Sequence, residues 1–236
     1  MNQGAVGRPS TDTREEGDRK GTPLLVGYPR GRPSPGGRPS TGAPLLVGYP
    51  GEPYLQAVEP EIEGLSKLLP EAEVLFGEAV TRPNIMKMLP KRALIHIAGH
   101  IVYDHAAPLE SGIPLAEKRW LRASDLYLRY GYLDRSTVVL SGCESASGSA
   151  KGGDILGLTS AFLYAGATGI VASLWPVDDT ATAHLMSAFY QKITASHATA
   201  DALRHAQIDL LHHQATAHPY YWAPFLLNGA SRTWQP

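Results

Sequence analysis

The chain has 236 residues, 43% of them hydrophobic, and a formal net charge of −1 at pH 7. This suits one domain of moderate size plus a tail, and the near-zero charge gives no electrostatic attraction to nucleic acid. No stretch approaches the roughly 18 to 20 apolar residues of a membrane-spanning helix, and the polar segment 1–20 lacks the apolar core of a secretory signal. The single cysteine cannot form an internal disulfide and fits a reducing compartment, so we expect a cytoplasmic protein.

The first 43 residues differ in composition from the rest, because they contain nine Gly and six Pro. This composition is typical of a disordered segment or linker. The segment also contains a duplication, since Gly21–Pro29 (GTPLLVGYP) returns as Gly42–Pro50 (GAPLLVGYP). Two short copies do not make a stacked repeat architecture. We expect residues 44–236 to form the domain with only the second copy as a strand, although the first copy could compete for the same position in the sheet.

Apolar runs then alternate with amphipathic segments, which is the pattern of βαβ units. A strand at Leu45–Val47 precedes a helix at Glu59–Leu69, whose apolar residues recur at helical spacing. A short strand at Val74–Phe76 precedes a helix that Thr81 caps, and this helix ends at Met88. Leu94–Ala98 is the third strand.

The second half continues this alternation after a mixed region, 103–133. In that region we expect a loop, then Leu115–Leu121 with no element assigned, then a short helix over Ser124–Arg129. The later expected elements are a strand at Val138–Leu140, a helix from the Asp154 cap to Tyr164, a strand at Gly169–Leu174, helices at Thr180–Ile193 and Thr199–His213, and a strand at Phe225–Leu227. The pattern predicts an α/β fold with a mostly parallel sheet.

Two of these strands end in groups that can do acid–base or nucleophilic chemistry. Leu94–Ala98 is followed by His100, and Val138–Leu140 is followed by Cys143. The carboxyl ends of parallel strands face the ligand crevice of an open α/β sheet, so the two side chains can meet there. A thiol needs a proton acceptor to become a nucleophile, and an imidazole is suited to that role.

Several short motifs resemble those of the CHAT domain in the same order over residues 44–236. They are His96–His100 (HIAGH), Leu140–Ser145 (LSGCES), Ala165–Ala167, Ser173–Asp179 (SLWPVDD), Phe189–Tyr190, Ala202–Gln207 and Pro219–Phe225. CHAT domains are caspase-like cysteine peptidases related to separase and often fused to TPR repeats. The 43-residue separation of His100 and Cys143 is close to that of caspases.

The resemblance implies a caspase-like three-layer sandwich, in which a mostly parallel sheet has helices on both faces. It also implies a cysteine endopeptidase with no cofactor or metal, acting on protein or peptide substrates through Cys143 and His100. A TPR-containing regulatory partner is implied, with no direct contact to nucleic acid or membrane. The oxyanion would be bound by the N–H groups of Cys143 and Ile101. The family usually has Gly at the position of Ile101 and Ala at that of Gly142.

The SLWPVDD motif supplies the candidate substrate-binding residues Trp175, Asp178 and Asp179. In related separases an acidic residue after the Leu-Trp strand holds a basic P1 side chain, and Asp179 matches it better than Asp178. The other interpretation is that one aspartate only caps the helix that follows, since Asp is a preferred N-cap. Trp175 can equally be explained by packing alone.

Two other functions remain open on the sequence. One is a catalytically inactive CHAT-like protein-interaction module, which the unusual Ile101 and the absence of regulatory repeats in this chain keep possible. The other is a small-molecule-binding α/β domain. Four histidines (His205, His212, His213 and His218) suggest zinc, but their spacing fits no closed structural site, and helix-end positions explain them better. His96 is expected to be a core residue.

Overall fold

The structure is a computed structural model that describes residues 42–104, 106–133, 135–142 and 155–234. Three expectations therefore concern residues that lie outside the described part of the chain. They are the disordered segment 1–43 apart from its last two residues, the helix cap at Asp154, and the small, glycine-rich stretch Ser145–Gly153, for which the sequence predicts a mobile loop bordering the cleft. Cys143 also lies outside it.

Eight strands are present in the described residues. They are β1 (Leu45–Tyr49), β2 (Glu73–Phe76), β3 (Leu94–Gly99), β4 (Gly112–Leu115), β5 (Arg119–Arg122), β6 (Thr137–Ser141), β7 (Gly169–Ser173) and β8 (Phe225–Gly229). Six of them form one sheet in the order β2-β1-β3-β6-β7-β8, while β4 and β5 pair separately. The first five strands of the large sheet are parallel, and β8 runs antiparallel to β7.

The described helices cover both faces of this sheet. They are α1 (Val58–Leu68), α2 (Arg82–Met88), α3 (Ala123–Tyr127), α4 (Ile155–Tyr164), α5 (Asp179–Thr194), α6 (Thr199–His212) and α7 (Pro219–Trp222). Successive strand residues point to opposite faces, so Ile95 and Ile97 pack into the core under α2 to α4, and Leu94 and Ala98 into the core under α1, α5 and α6. The expected α/β three-layer sandwich is confirmed.

The order of the strands locates the crevice. The chain passes from β1 to β2 on one side, and then to β3 on the other side of β1. Such a reversal leaves the carboxyl ends of β1 and β3 side by side, with Tyr49 opposite Gly99. The loops after these two strands therefore border the crevice.

The region 103–133 differs most from the sequence-based expectation. The segment Leu115–Leu121 contributes to an antiparallel pair, β4 and β5, whose connecting turn has positive φ at Glu117 and Lys118. No glycine marks this turn, so the usual signal for positive φ was missing. The short helix expected at Ser124–Arg129 lies at Ala123–Tyr127 instead. Among the described helices none is long and apolar enough to cross a membrane.

Candidate active site

The register of β3 and β6 aligns the ends of the two strands. Ala98 pairs with Ser141 across the parallel ladder. His100 follows Ala98 by two residues, and Cys143 follows Ser141 by two residues. The described chain stops at Gly142, one residue before the cysteine. The sequence prediction that these two strands are neighbours is therefore confirmed, while the role of Cys143 stays a prediction.

His100 is buried and has one hydrogen-bond partner in the part of the chain that the structure describes. The residue is only 4% exposed, and its Nε2 atom lies 2.7 Å from the carbonyl oxygen of Pro53. A carbonyl oxygen can only accept, so Nε2 carries the proton and donates it. The neutral ring then has its lone pair on Nδ1, which is buried and has no partner among the described residues. This tautomer leaves Nδ1 as the atom that can accept a proton.

The loop after β1 packs directly against the His100 ring. Gly51 has a φ of +62°, and a Cβ on it would lie 2.7 Å from Cδ2 of His100. The N–H of Leu55 donates to the carbonyl oxygen of Pro50 at 3.1 Å, which closes the loop on itself. Sequence reasoning missed Pro53 as a partner of His100, because the contact is made by a backbone carbonyl. The signal that could have indicated this loop is the Pro50-Gly51 pair that follows β1, at a strand end beside the crevice.

The two residues that depart from the usual CHAT pattern lie against each other. A Cβ on Gly142 would lie 2.2 Å from the carbonyl oxygen of Gly99 and 2.8 Å from Cγ1 of Ile101. Ile101 is 2% exposed, and it does not have a positive φ, so a β-branched residue fits its backbone without strain. Glycine at 142 is explained by close packing. The oxyanion role of the Ile101 N–H stays a prediction.

The two aspartates of the SLWPVDD motif have different environments. Oδ1 of Asp178 accepts hydrogen bonds from the N–H groups of Thr180 at 3.0 Å and Ala181 at 3.1 Å, so Asp178 is the N-cap of α5. Asp179 is the first residue of the helix and makes no such cap. Partial burial raises the pKa of Asp179 above its ordinary value, and the carboxylates of Asp178 and Glu61 raise it further. The capping role expected for one aspartate is confirmed for Asp178.

Trp175 and Ser173 hold the end of β7. The indole Nε1 of Trp175 donates to the carbonyl oxygen of Tyr220 at 3.1 Å, and its half-buried ring packs against the core under α5 and α6. The hydroxyl of Ser173 donates to the carbonyl oxygen of Gly142 at 3.4 Å. These contacts account for the packing of Trp175 and connect β7 with the residue before Cys143. Substrate contacts of Trp175 remain a prediction.

His96 belongs to a buried polar cluster under β3. It is fully buried, as expected for a core residue, with Nδ1 3.0 Å from the hydroxyl of Tyr190 and Nε2 3.2 Å from Oε1 of Glu61. Burial and the Glu61 carboxylate raise the pKa of Tyr190 well above its ordinary value, so its hydroxyl keeps its proton. A carboxylate oxygen accepts, so we place the ring proton of His96 on Nε2, which faces Glu61, and Nδ1 then accepts from the Tyr190 hydroxyl. Sequence reasoning did not identify Glu61 or Tyr190 as partners.

The histidines considered for zinc have other neighbours. The ring of His213 lies edge-on to His184 at 5.6 Å, and the ring of His205 lies edge-on to His197 at 5.5 Å. Nδ1 of His218 accepts from the N–H of Tyr220 at the start of α7. In the described part of the chain, no three His, Cys, Asp or Glu side chains are grouped as a metal site would require.

Solved structures with this fold include cysteine peptidases. Gingipain R of Porphyromonas gingivalis, an Arg-specific cysteine proteinase, is 12% identical with a TM-score of 0.55, and the alignment covers 81% of this chain and 46% of that chain. The separase–securin complex of Saccharomyces cerevisiae gives 16% identity, a TM-score of 0.56, and coverage of 81% and 12%. At these identities the likeness shows the fold alone.

Sequence comparison identifies relatives and a family. Tetratricopeptide repeat protein 28 of Mus musculus is 27% identical over 214 residues, and that of Homo sapiens is 26% identical over 211 residues. Each alignment covers 75% of this chain but only 9% and 8% of those proteins, so the chain spans less than a tenth of their length. The CHAT domain family matches residues 6–230, which is most of the chain. The chain therefore belongs to the CHAT domain family.

Proposed function

We propose that this protein is a cysteine endopeptidase in which Cys143 is the nucleophile and His100 the general base. The observation that carries the proposal is the pairing of Ala98 with Ser141, because His100 and Cys143 follow these two residues by the same number of positions. Membership of the CHAT family and a fold shared with cysteine peptidases support the same conclusion.

The hydrogen bond from His100 to Pro53 determines how the proposed base would work. Since Nε2 donates to the Pro53 carbonyl, Nδ1 is the atom that would take the proton from the thiol of Cys143. The imidazolium so formed keeps its Nε2–H bond, and the carbonyl dipole stabilises the new positive charge. The thiolate attacks the peptide carbonyl carbon, and Nδ1–H then gives its proton to the leaving amine. Water hydrolyses the resulting thioester, with His100 acting again as base.

The developing oxyanion would be bound by backbone N–H groups at the two strand ends. We assign this role to the N–H groups of Cys143 and Ile101, which belong to the segments that follow β6 and β3. Ile101 supports this assignment because its side chain is buried against Gly142, which restrains the backbone next to the dyad. Preorganised donors of this kind commonly contribute about 10²- to 10³-fold to the rate.

A basic residue is the proposed preference at P1. Asp179 follows the strand end that lies beside β6, and the raised pKa caused partly by Asp178 and Glu61 indicates a locally negative environment. A guanidinium or ammonium group would relieve that repulsion. The Arg specificity in the printed description of gingipain R supports this choice. We propose that Trp175 lies beside this site, with Asp178 holding α5 in place through its cap.

A cytoplasmic location and a TPR-containing regulatory partner are also proposed. The single cysteine fits a reducing compartment. The curated relatives are tetratricopeptide repeat proteins of which this chain covers less than a tenth, which supports a TPR-related context.

The proposal is tested by profiling new protein N-termini after incubation of a cell extract with the wild-type chain or with Cys143→Ala. We expect new termini that require Cys143, with Arg or Lys before the cut. His100→Ala should remove the new termini as Cys143→Ala does, and His212→Ala is its matched control, because His212 is an exposed histidine at the end of α6. If wild type and Cys143→Ala give the same termini, the chain is a non-catalytic interaction module.

A further inference from the structure

The duplicated segment supplies a second sequence for the position of β1. Residues 21–29 and 42–50 differ at one position, where Thr22 replaces Ala43. β1 is an inner strand between β2 and β3, and its first three residues are almost completely buried. We propose that residues 21–29 can replace residues 42–50 in the same chain, and that this alternative register inactivates the site at His100.

The glycines of the second copy are the residues that the β1 position requires. A Cβ on Gly42 would lie 1.7 Å from the carbonyl oxygen of Lys91. A Cβ on Gly48 would lie 2.6 Å from Cγ1 of Ile62 and 2.7 Å from Cδ2 of Phe76. The first copy keeps glycine at both positions, as Gly21 and Gly27, and it repeats the buried Leu-Leu-Val sequence without change.

The other contacts of β1 should be the same for both copies. They are made by backbone atoms, or they involve the one position at which the copies differ, Thr22 or Ala43, where a larger side chain fits. The carbonyl oxygen of Pro44 accepts from the N–H of Glu73 at 2.9 Å, and that of Gly42 accepts from the N–H of Ala93 at 3.2 Å. Pro23 and Gly21 would provide the same carbonyl groups. Ala43 is only half-buried, so the larger side chain of Thr22 can be accommodated there. The sheet therefore distinguishes poorly between the two copies.

The residues after the two copies differ where the loop meets His100. In the alternative register Arg30 would stand in place of Gly51, and Arg32 in place of Pro53. Gly51 has a φ of +62° and no room for a Cβ, which would lie 2.7 Å from Cδ2 of His100. An arginine there would be strained and would displace either the ring or the loop. His100 would then lose the carbonyl partner that fixes its tautomer.

The connection to α1 sets the balance between the registers. Eight residues, 50–57, join β1 to Val58, whereas 29 residues, 29–57, would join the first copy to it. Closing the longer connection is disfavoured by about seven-fold. Loss of the His100–Pro53 bond disfavours it further, so the first copy is the minor occupant in the wild type. The strand exchange itself does not depend on the proposed peptidase, whereas its effect on His100 rests on that proposal.

Valine substitutions test the exchange in the full chain. Gly48→Val blocks the second copy because its side chain meets Ile62 and Phe76, and Gly27→Val blocks the first copy in the same way. Hydrogen exchange of the two segments is followed by mass spectrometry, since flanking residues distinguish their peptides. We expect protection at 42–50 in the wild type and in Gly27→Val, and at 21–29 in Gly48→Val. Both single variants should unfold cooperatively, and the double variant should not fold.

The rate of iodoacetamide alkylation of Cys143 gives a second, separate readout. We expect Gly48→Val to alkylate at least ten times more slowly than wild type, and Gly27→Val to remain within about twofold. If the two segments exchange as strands but the alkylation rate does not change, the proposed effect on His100 is wrong, and the strand exchange itself is still supported. The exchange is overturned if Gly48→Val unfolds as the double variant does, keeps its protection at 42–50, or folds only as a dimer.

Discussion

Nε2 of His100 lies 2.7 Å from the carbonyl oxygen of Pro53, so the loop after β1 orients a ring at the end of β3. This contact joins two residues that are 47 positions apart in the sequence and that follow two neighbouring strands. It fixes which ring nitrogen carries the proton, and it leaves Nδ1 as the atom that would take the proton from Cys143 in the proposed dyad. The loop therefore serves the site through a backbone atom.

Substitution of Gly51 tests the importance of this loop. Gly51→Ala places a methyl group 2.7 Å from Cδ2 of His100, so we expect at least a tenfold loss of peptidase activity and of Cys143 alkylation. Gly77→Ala is the matched control, since Gly77 has a similar φ of +57° but open space where its Cβ would lie. Both variants should lose about the same stability from the positive φ, ~1 kcal/mol. Equal activity in the two variants would show that the loop does not orient His100.

The proposed roles of Asp178 and Asp179 can be distinguished by the pH dependence of the P1 preference and by substitution. The raised pKa of Asp179 means that its carboxylate is protonated at a higher pH than an ordinary aspartate. As the pH decreases, the preference for basic P1 residues should therefore be lost at a higher pH than an ordinary aspartate would give. Because Asp179 is only partly buried and part of its carboxylate stays in contact with solvent, we expect a preference of about tenfold rather than several hundredfold. Asp179→Asn should abolish it at every pH. A positional-scanning peptide library at a series of pH values measures both effects.

Asp178→Asn is the matched variant in this experiment. Asparagine is as good an N-cap as aspartate, so α5 should keep its stability, whereas Asp178→Ala should cost ~1 kcal/mol. Removing the Asp178 charge also removes a cause of the raised pKa of Asp179. The pH at which the P1 preference falls should therefore move down in Asp178→Asn. If the P1 preference is the same in the wild type and in both variants, Asp178 and Asp179 have structural roles only.

Tyr190→Phe tests the buried cluster around His96. The substitution leaves Nδ1 of His96 without its 3.0 Å partner in the core, which should lower the free energy of unfolding by ~1–3 kcal/mol. Tyr220→Phe is the control, because Tyr220 is 45% exposed. Urea unfolding of both variants measures the difference. Equal stabilities would mean that the Tyr190 hydroxyl contributes nothing to the fold.

Deletion of residues 1–41 tests the assignment of the domain. We expect the melting temperature to stay within error, because a Gly/Pro-rich segment buries little apolar area. Trypsin should cut the full chain first in this segment, at Lys20 and Arg30, whereas Arg32 and Arg38 each precede a proline and should resist cleavage. A large fall in melting temperature would show that the domain depends on the first copy of the duplicated segment.

Local patterns in the sequence were sufficient for much of the fold. The apolar runs at β3 and β6 and the cap at Asp178 depend on neighbouring residues, so they could be predicted. The turn at Glu117 and Lys118 was missed because non-glycine residues adopt its positive φ. The interactions of His100 with Pro53, and of His96 with Tyr190, depend on which elements pack together. Such contacts between distant segments leave no local signal.

The alkylation rate of Cys143 by iodoacetamide near neutral pH tests the dyad most directly, because the chain has one cysteine and each event reports on it. We predict that the wild type reacts much faster than a free thiol, that His100→Ala reduces the rate to that of an unactivated thiol, and that His212→Ala has no effect. A wild-type rate equal to that of a free thiol, or one unchanged in His100→Ala, would contradict the Cys143–His100 dyad.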